Sequence, residues 1–233
     1  MINLNDSIIH ILLQERITSV ELNVDIHTTT PRYLKATEEQ KGRTKEKAEV
    51  FTPVSIIKEM NDALDTNYIC DFEEYIDERV LEATCGEAPF LTTRYDVSSG
   101  QQIPCGERIG LLDRKLQKIP EGVNKSEWTV LATRSLKATY GYEWQEDSIF
   151  LARKNLLLNV IEYHIERFKE LPNQDIIEEW ATIISYNIFR MDGVSLCIPE
   201  TNIKSKIMNW EINKMENFDG SKDVLEEVEQ QLF

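Results

Sequence analysis

Residues 81–91 read Leu-Glu-Ala-Thr-Cys-Gly-Glu-Ala-Pro-Phe-Leu, or LEATCGEAPFL. A short apolar run ends here on an acid, a cysteine and a glycine, and a second apolar pair follows at once. A glycine directly after a buried strand lets the backbone turn tightly and approach a ligand closely. Ala83, Thr84 and Cys85 are small enough to leave room beside that turn, and Pro89-Phe90-Leu91 begins the return into the core. The stretch has the shape of a nucleoside-binding turn.

Two later segments end in the same way. KATYGYE is a β-branched and aromatic run ending on Glu143, and SYNIFRMD ends on Asp192 before Gly193. Helical patterns separate the three, and this alternation is that of an open, mostly parallel α/β sheet with flanking helices. In such sheets ligands bind outside the carboxyl ends of the strands, so Glu82, Glu143 and Asp192 are expected on one edge. An acid ending the second strand suits ribose hydroxyls, and one a strand later can accept from an adenine amino group.

Apolar spacing predicts the helices. Residues 5–24 carry Ile8, Ile9, Leu12, Leu13 and Ile17 at three-to-four spacing. A helix over about 53–65 is expected with Thr52 as N-cap, Pro53 in its first turn and Ile56, Ile57, Met60 and Leu64 on one face. Residues 68–79 read as an acidic helix, and EWTVLATRSL as a helix capped by Ser126. DSIFLARKNLLLNVIEYHIERFKEL, 147–171, reads as the strongest helix, capped by Asp147 and ended by Pro172, with another over about 174–184. The polar run 25–49 reads as a mobile arm, 92–126 as an excursion from the core, and the acidic tail GSKDVLEEVEQQLF as frayed or a short docking helix.

A chain of 233 residues fits one α/β domain with embellishments. No apolar run approaches the roughly 20 residues of a membrane-spanning helix, and the first residues carry no basic leader, so a cytoplasmic protein is expected. Four cysteines and three histidines show no zinc spacing, and reduced thiols are expected. The net charge is −15, from 41 acids against 26 bases. Binding through phosphates favours the opposite balance, so any DNA would be held by a local patch or through another subunit. The basic cluster is KGRTKEK, 41–47, with Arg32 and Lys35 upstream; it reads as a solvated surface or as a phosphate contact.

In order along the chain, EVFTP, LEATCGEAPFL, YGYEWQEDSIFLARKNLL and NIFRMDG resemble the N6-adenine DNA methyltransferases of restriction-modification systems. The resemblance covers roughly residues 48–193 and is nearest to their modification-subunit and fused restriction-methyltransferase branch. It implies a Rossmann-like class I methyltransferase fold, S-adenosylmethionine as cofactor, and double-stranded DNA as substrate, with a second protein subunit as a further partner. It implies cofactor contacts from Phe51, Thr52, Pro53, Glu82, Cys85, Gly86, Glu143 and Asp192. The implied organisation is an N-terminal helix and polar arm over 1–49, then a cofactor-binding domain over 50–233 with an insertion at about 92–126.

The chain departs from that family in three respects. Glu82 replaces the usual aspartate and Ala88 the second glycine, placing a Cβ where the backbone is expected to pass close to the cofactor. Glu143 lies 57 positions after Gly86 (143 − 86), so the segment between must be looped out; Glu107 is a rival acid. The family's polar-Pro-Pro-aromatic motif, which orients and stacks the flipped adenine, is absent: the sequence has no Pro-Pro pair. Asn209-Trp210 is the substitute polar-aromatic pair, with a structural tryptophan on an edge strand as the plain alternative.

Three functions follow as expectations: a DNA adenine-N6 methyltransferase, a non-catalytic cofactor-binding or regulatory subunit of the same fold, and a nuclease. The nuclease rests on Asp96 and Asp113-Arg114-Lys115 as a Mg²⁺ site, against which Asp113 and Lys115 read as a surface charge pair. Cys85 reads as a small pocket-lining residue rather than a nucleophile.

Overall fold

The structure is a computed structural model that describes residues 2–47, 52–65 and 71–219. Its centre is a three-stranded parallel sheet of β3 (Val80–Glu82), β4 (Thr139–Glu143) and β5 (Ile188–Arg190), in that spatial order. Two crossovers join them. One carries α5 (Leu111–Lys118) and α6 (Lys125–Lys137), the other α7 (Glu146–Phe168) and α8 (Gln174–Asn187). The register sets Glu82 opposite Gly141 and Glu143 opposite Arg190, so the carboxyl ends of all three strands share an edge. This is a mixed α/β architecture, compatible with a Rossmann-like fold but with a small sheet.

The two faces of the sheet are covered differently. Ile188 and Cys85 face a helical core in which Trp128, Phe150, Leu157, Ile161, Trp180 and Ile184 are all but fully buried. Each such side chain contributes about 1.5–3 kcal/mol through removal from water. On the other face Tyr142 and Phe189 meet Phe218, and the Tyr140 hydroxyl donates to the Met208 carbonyl. These belong to or flank the antiparallel hairpin of β6 (Lys206–Asn209) and β7 (Lys214–Asn217).

The N-terminal segment is shorter in helix than its spacing predicts. α1 (Asp6–Leu13) stops early, and β1 (Gln14–Glu15) pairs with β2 (Val20–Glu21) through a turn in which Ser19 has positive φ. The cause lies outside the segment, at Arg153 of α7. Its guanidinium has no exposed surface; Nη1 donates to the Leu12 and Gln14 carbonyls at 2.7 and 2.9 Å. Nη2 donates to Ser185 and Ile188, and Nε to Ile188. One side chain thus satisfies carbonyls at the ends of α1 and α8 and at the start of β5. Burial pushes its pKa down to about 10, so it stays charged at neutral pH.

Other expectations are corrected. The run read as a mobile arm holds a turn of 3₁₀ helix at Arg32–Leu34 and α2 (Thr37–Lys47). It is fastened to the body by Arg32 N–H to Glu87 at 2.7 Å and by Arg43 to Asp147 at 2.8 Å. Residues 92–126 are no excursion: Tyr95, Val97, Leu112, Leu116 and Ile119 are buried, and α5 lies among them. The cap of α6 is Asn124, reciprocated by Glu127, two residues earlier than Ser126. α7 begins after Gln145, which leaves Asp147 in its first turn, and ends at Lys169 in the left-handed region before reaching Pro172. α8 runs on through Asn187, so Ser185 and Tyr186 are helical rather than strand. α3 (Val54–Asp65) and α4 (Phe72–Asp77) stand close to their expected places. Phe51, residues 66–70 and the whole acidic tail, 220–233, lie outside the described residues. Among the described residues no helix is long and apolar enough to cross a membrane.

Arg153→Met leaves buried carbonyls of three elements without donors and is expected to cost about 3–5 kcal/mol. Urea unfolding measures it, and Arg153→Lys is expected to recover little, because an ammonium cannot reproduce the planar fork.

Candidate functional site

The turn after β3 is built from alternating left-handed residues: Thr84 (φ 48°), Gly86 (φ 54°) and Ala88 (φ 62°). Gly86 suits its conformation, whereas Thr84 and Ala88 adopt it at a cost of about 1–2 kcal/mol each. The Ala88 methyl, expected where the backbone would pass close to a cofactor, is turned into the protein instead. Ala88 has no exposed surface and packs in the helical core beside Cys85 and Leu91. Cys85 fits because the facing position is Gly141, where an added Cβ would lie 3.1 Å from its sulfur. Burial raises the Cys85 thiol pKa well above the usual range, as expected of a lining residue and not of a nucleophile.

Glu143 closes onto this turn. Its Oε2 accepts from the Gly86 N–H at 2.9 Å, and its Oε1 accepts from the N–H groups of Trp144 and Gln145 at 2.8 and 3.1 Å. The second strand's acid and the first strand's glycine are therefore one bonded unit. Glu82 sits beside them. Its Oε1 accepts from Phe90 N–H at 3.3 Å, while its Oε2 is buried and has no partner among the described residues. The residue keeps some exposed surface, but the carboxyl end is dry. Desolvation holds its pKa well above the ordinary glutamate range, opposed by the Phe90 and Leu91 N–H groups and reinforced by Glu143. Asp192, one strand further, accepts from Val194 N–H and Ser195 Oγ at 2.9 and 2.7 Å, and these bonds hold its pKa below the usual value.

Thr52 and Pro53 directly precede α3, and the Pro53 carbonyl closes its first turns through Ile56 and Ile57. α3 reaches the site through Asn61, whose Nδ2 donates to the Phe90 and Ile109 carbonyls. Phe90 thus links α3 by its carbonyl to Glu82 by its amide. Asn209 and Trp210 are not brought to this edge. The Asn209 side chain accepts from Glu211 N–H within the hairpin turn, and the Trp210 indole donates to Asn187 at 2.8 Å. Trp210 lines a cleft with Arg79, Ala138 and Tyr140, at the amino ends of β3 and β4. The polar-aromatic pair and the three acids occupy opposite ends of the sheet.

The metal reading also dissolves on geometry. Asp96 accepts from Ser98 and Ser99 in a surface turn. Asp113 and Lys115 are both buried rather than a surface pair. Asp113 accepts from Thr93 and Gly110 N–H groups, and burial lifts its pKa to about 6. Lys115 donates to the Ile76 and Glu78 carbonyls at the end of α4, and burial lowers its pKa to about 7. Glu107, the rival acid, is exposed in a turn of 3₁₀ helix. Among the described residues no group of three or more His, Cys, Asp or Glu is arranged to hold a metal ion.

Sequence reasoning missed two features here. Glu87, inside the glycine turn, is buried; it accepts from Arg32 N–H and from the Tyr95 hydroxyl at 2.6 Å, and Asn155 donates to its carbonyl. An acid in so apolar a turn was the available signal. Trp144, 40% exposed, stands next to Glu143 on a cleft of about 370 Å³ with Asn23, Asp25, Thr28, Arg190 and Glu200. The volume falls in the range of small-molecule sites.

No family model, no curated protein and no solved structure matches this chain.

Glu82 gives a pH signature with a definite sign. Its folded-state pKa is raised, so folding favours the protonated form, and stability falls as pH rises from the unfolded value toward the folded one. In Glu82→Gln the drop in urea midpoint between pH 5 and pH 8 is expected to be smaller than in the parent. Gly86→Ala meets open space but keeps φ at 54°, so it is expected to cost about 1–2 kcal/mol by backbone strain alone, read from the same urea curves.

Proposed function

We propose that the carboxyl edge of the sheet binds S-adenosylmethionine and that the chain serves DNA adenine-N6 methylation in a restriction-modification system. The observation that carries this reading is the bonded unit of Gly86 and Glu143 beside the buried, unpartnered Oε2 of Glu82. An orphaned carboxylate oxygen in a dry site fits a ligand with a cationic end, and the glycine turn fits a close-lying nucleoside. Glu82 and the turn from Cys85 to Gly86 would hold the charged methionine end. Glu143 would take the ribose, and Asp192 the adenine amino group, with Trp144 offering a ring for stacking. When bound, the cofactor supplies an activated sulfonium methyl group. The chain's own part is to orient it and exclude water, so that positioning carries the rate.

A second reading is favoured by one observation. The polar-aromatic pair lies at the far end of the sheet, and the sequence has no Pro-Pro motif, so the target-base pocket is not assembled from residues seen near the acids. On that reading the chain is a cofactor-binding or regulatory subunit acting through a protein partner.

Isothermal titration calorimetry with S-adenosylmethionine tests the site. Micromolar binding is expected, weakened by Glu143→Ala and by Asp192→Ala by about 1–3 kcal/mol each. A cationic ligand beside Glu82 also lowers its pKa, so binding is expected to release a proton and the heat to vary with the buffer's ionisation enthalpy. No heat at millimolar ligand, in protein shown to be folded, removes the cofactor reading. Methyl transfer to DNA by the purified chain separates the catalytic reading from the subunit reading.

A further inference from the structure

We propose that residues 25–45 form a strap across the ligand edge of the sheet, which opens as one unit without unfolding of the body and is held shut by a ligand in the cleft beside it. That this ligand is S-adenosylmethionine rests on the methyltransferase reading; the strap itself does not.

The strap contributes nothing to the core. Its root is fixed, because Leu22 is buried with its amide on the Leu13 carbonyl, and Val24 packs partly against the core. Beyond the root, none of residues 25–45 is buried, and Ile26 and Leu34 are 37% and 62% exposed. Apolar burial therefore does not hold this segment in place. Within itself it is well tied. Gln40 of α2 donates to the Arg32 and Lys35 carbonyls at 3.0 and 2.9 Å, and Arg32 Nη2 donates to the Thr44 hydroxyl at 3.0 Å. A segment that is coherent within and has no side chain in the core opens at a lower free energy than the body it lies on.

Its attachments fall on the two loops that carry the candidate site. On the glycine turn, Arg32 N–H donates to Glu87, the residue after Gly86. Close by, the Tyr33 ring stands edge-on to Tyr95 at 5.1 Å and lies over Gly100, where an added Cβ would collide with it. On the first turn of α7, just after Glu143 and Trp144, Lys35 and Arg43 meet Asp147 at 3.8 and 2.8 Å. The strap thus bridges the loop of Gly86 and the loop of Glu143, which are themselves joined by a hydrogen bond.

The cleft of about 370 Å³ lies against this bridge. Asp25, Thr28 and Thr29 of the strap line one part of it, and Trp144, Glu146 and Arg190 of the body line another. A ligand lying on Trp144 touches both only while the strap is closed. It therefore binds the closed state more tightly, and by linkage it shifts the population toward closure.

Amide hydrogen exchange on the full chain, resolved by residue and repeated in low urea, tests the strap. The bonded amides from Arg32 to Lys45 are expected to exchange through one shared opening that urea barely accelerates, while those in the middle of α7 exchange only through global unfolding. Arg43→Gln is expected to speed exchange at the remote Arg32 amide about fivefold or more, and Tyr33→Ala to do the same in α2. With S-adenosylmethionine at about ten times its Kd, exchange in the strap is expected to slow about tenfold, because opening then requires release of the ligand. Three results overturn the proposal: strap exchange that occurs only with global unfolding, acceleration confined to the altered end, or bound ligand that slows exchange in α7 and not in the strap. If S-adenosylmethionine does not bind while the strap opens as expected, the cofactor reading falls and the strap stands.

Discussion

A charged guanidinium with no water around it has to be satisfied by the protein, and at Arg153 the requirement organises three elements at once. The carbonyls it binds, on Leu12, Gln14, Ser185 and Ile188, are those that helix ends and strand starts leave open. Glu15, buried close by, supplies a favourable charge and raises the arginine's pKa against the desolvation that lowers it. The end of α1, the α8–β5 junction and the middle of α7 therefore cannot move independently. The N-terminal helix, remote in sequence, is held against the same core as the sheet.

From that anchor the strand ends inherit their geometry. Asn187 extends the stitching by donating to the carbonyls of Leu136, Lys137 and Thr139 and accepting from Trp210, which fixes the start of β4 against the start of β5. With the amino ends pinned and the register set, Glu82, Glu143 and Asp192 have to emerge on one edge. There the polar groups are unevenly satisfied. Glu143 accepts from three backbone amides and keeps acceptor capacity to spare, whereas among the described residues Glu82 has one buried oxygen unpaired. Such imbalance is costly in a structural network and useful in a binding site, because a cationic ligand relieves it.

The sheet that carries these acids is small. Three strands, one helical face and a hairpin on the other make up the body; among the described residues no strand pairs with the outer edge of β3, and α3 shows an apolar row to solvent. Of the basic cluster, Lys35 and Arg43 are taken up by Asp147, while Lys41 and Lys45 stay exposed.

What the sequence determined by itself is the alternation of strands and helices, the glycine turn and the acids at the strand ends. Those signals are local: a strand must stop where Glu82 and Gly86 stand, and a long helix must follow Glu143, whatever packs around them. The tertiary structure alone decided the roles of buried polar groups. Nothing in the composition of 92–126 tells that Arg108, Asp113 and Lys115 lie inside, since their partners sit up to 54 residues away. The arm at 25–49 read as mobile because its cations find Asp147, and its backbone Glu87, only after folding. The pair Asn209-Trp210 was plausible from side-chain type but lies at the wrong end, because β6 turns back along the sheet instead of extending it. Residue type and spacing carry what a residue can do; which end of a strand it reaches is set by long-range pairing, and that pairing leaves no trace in local sequence.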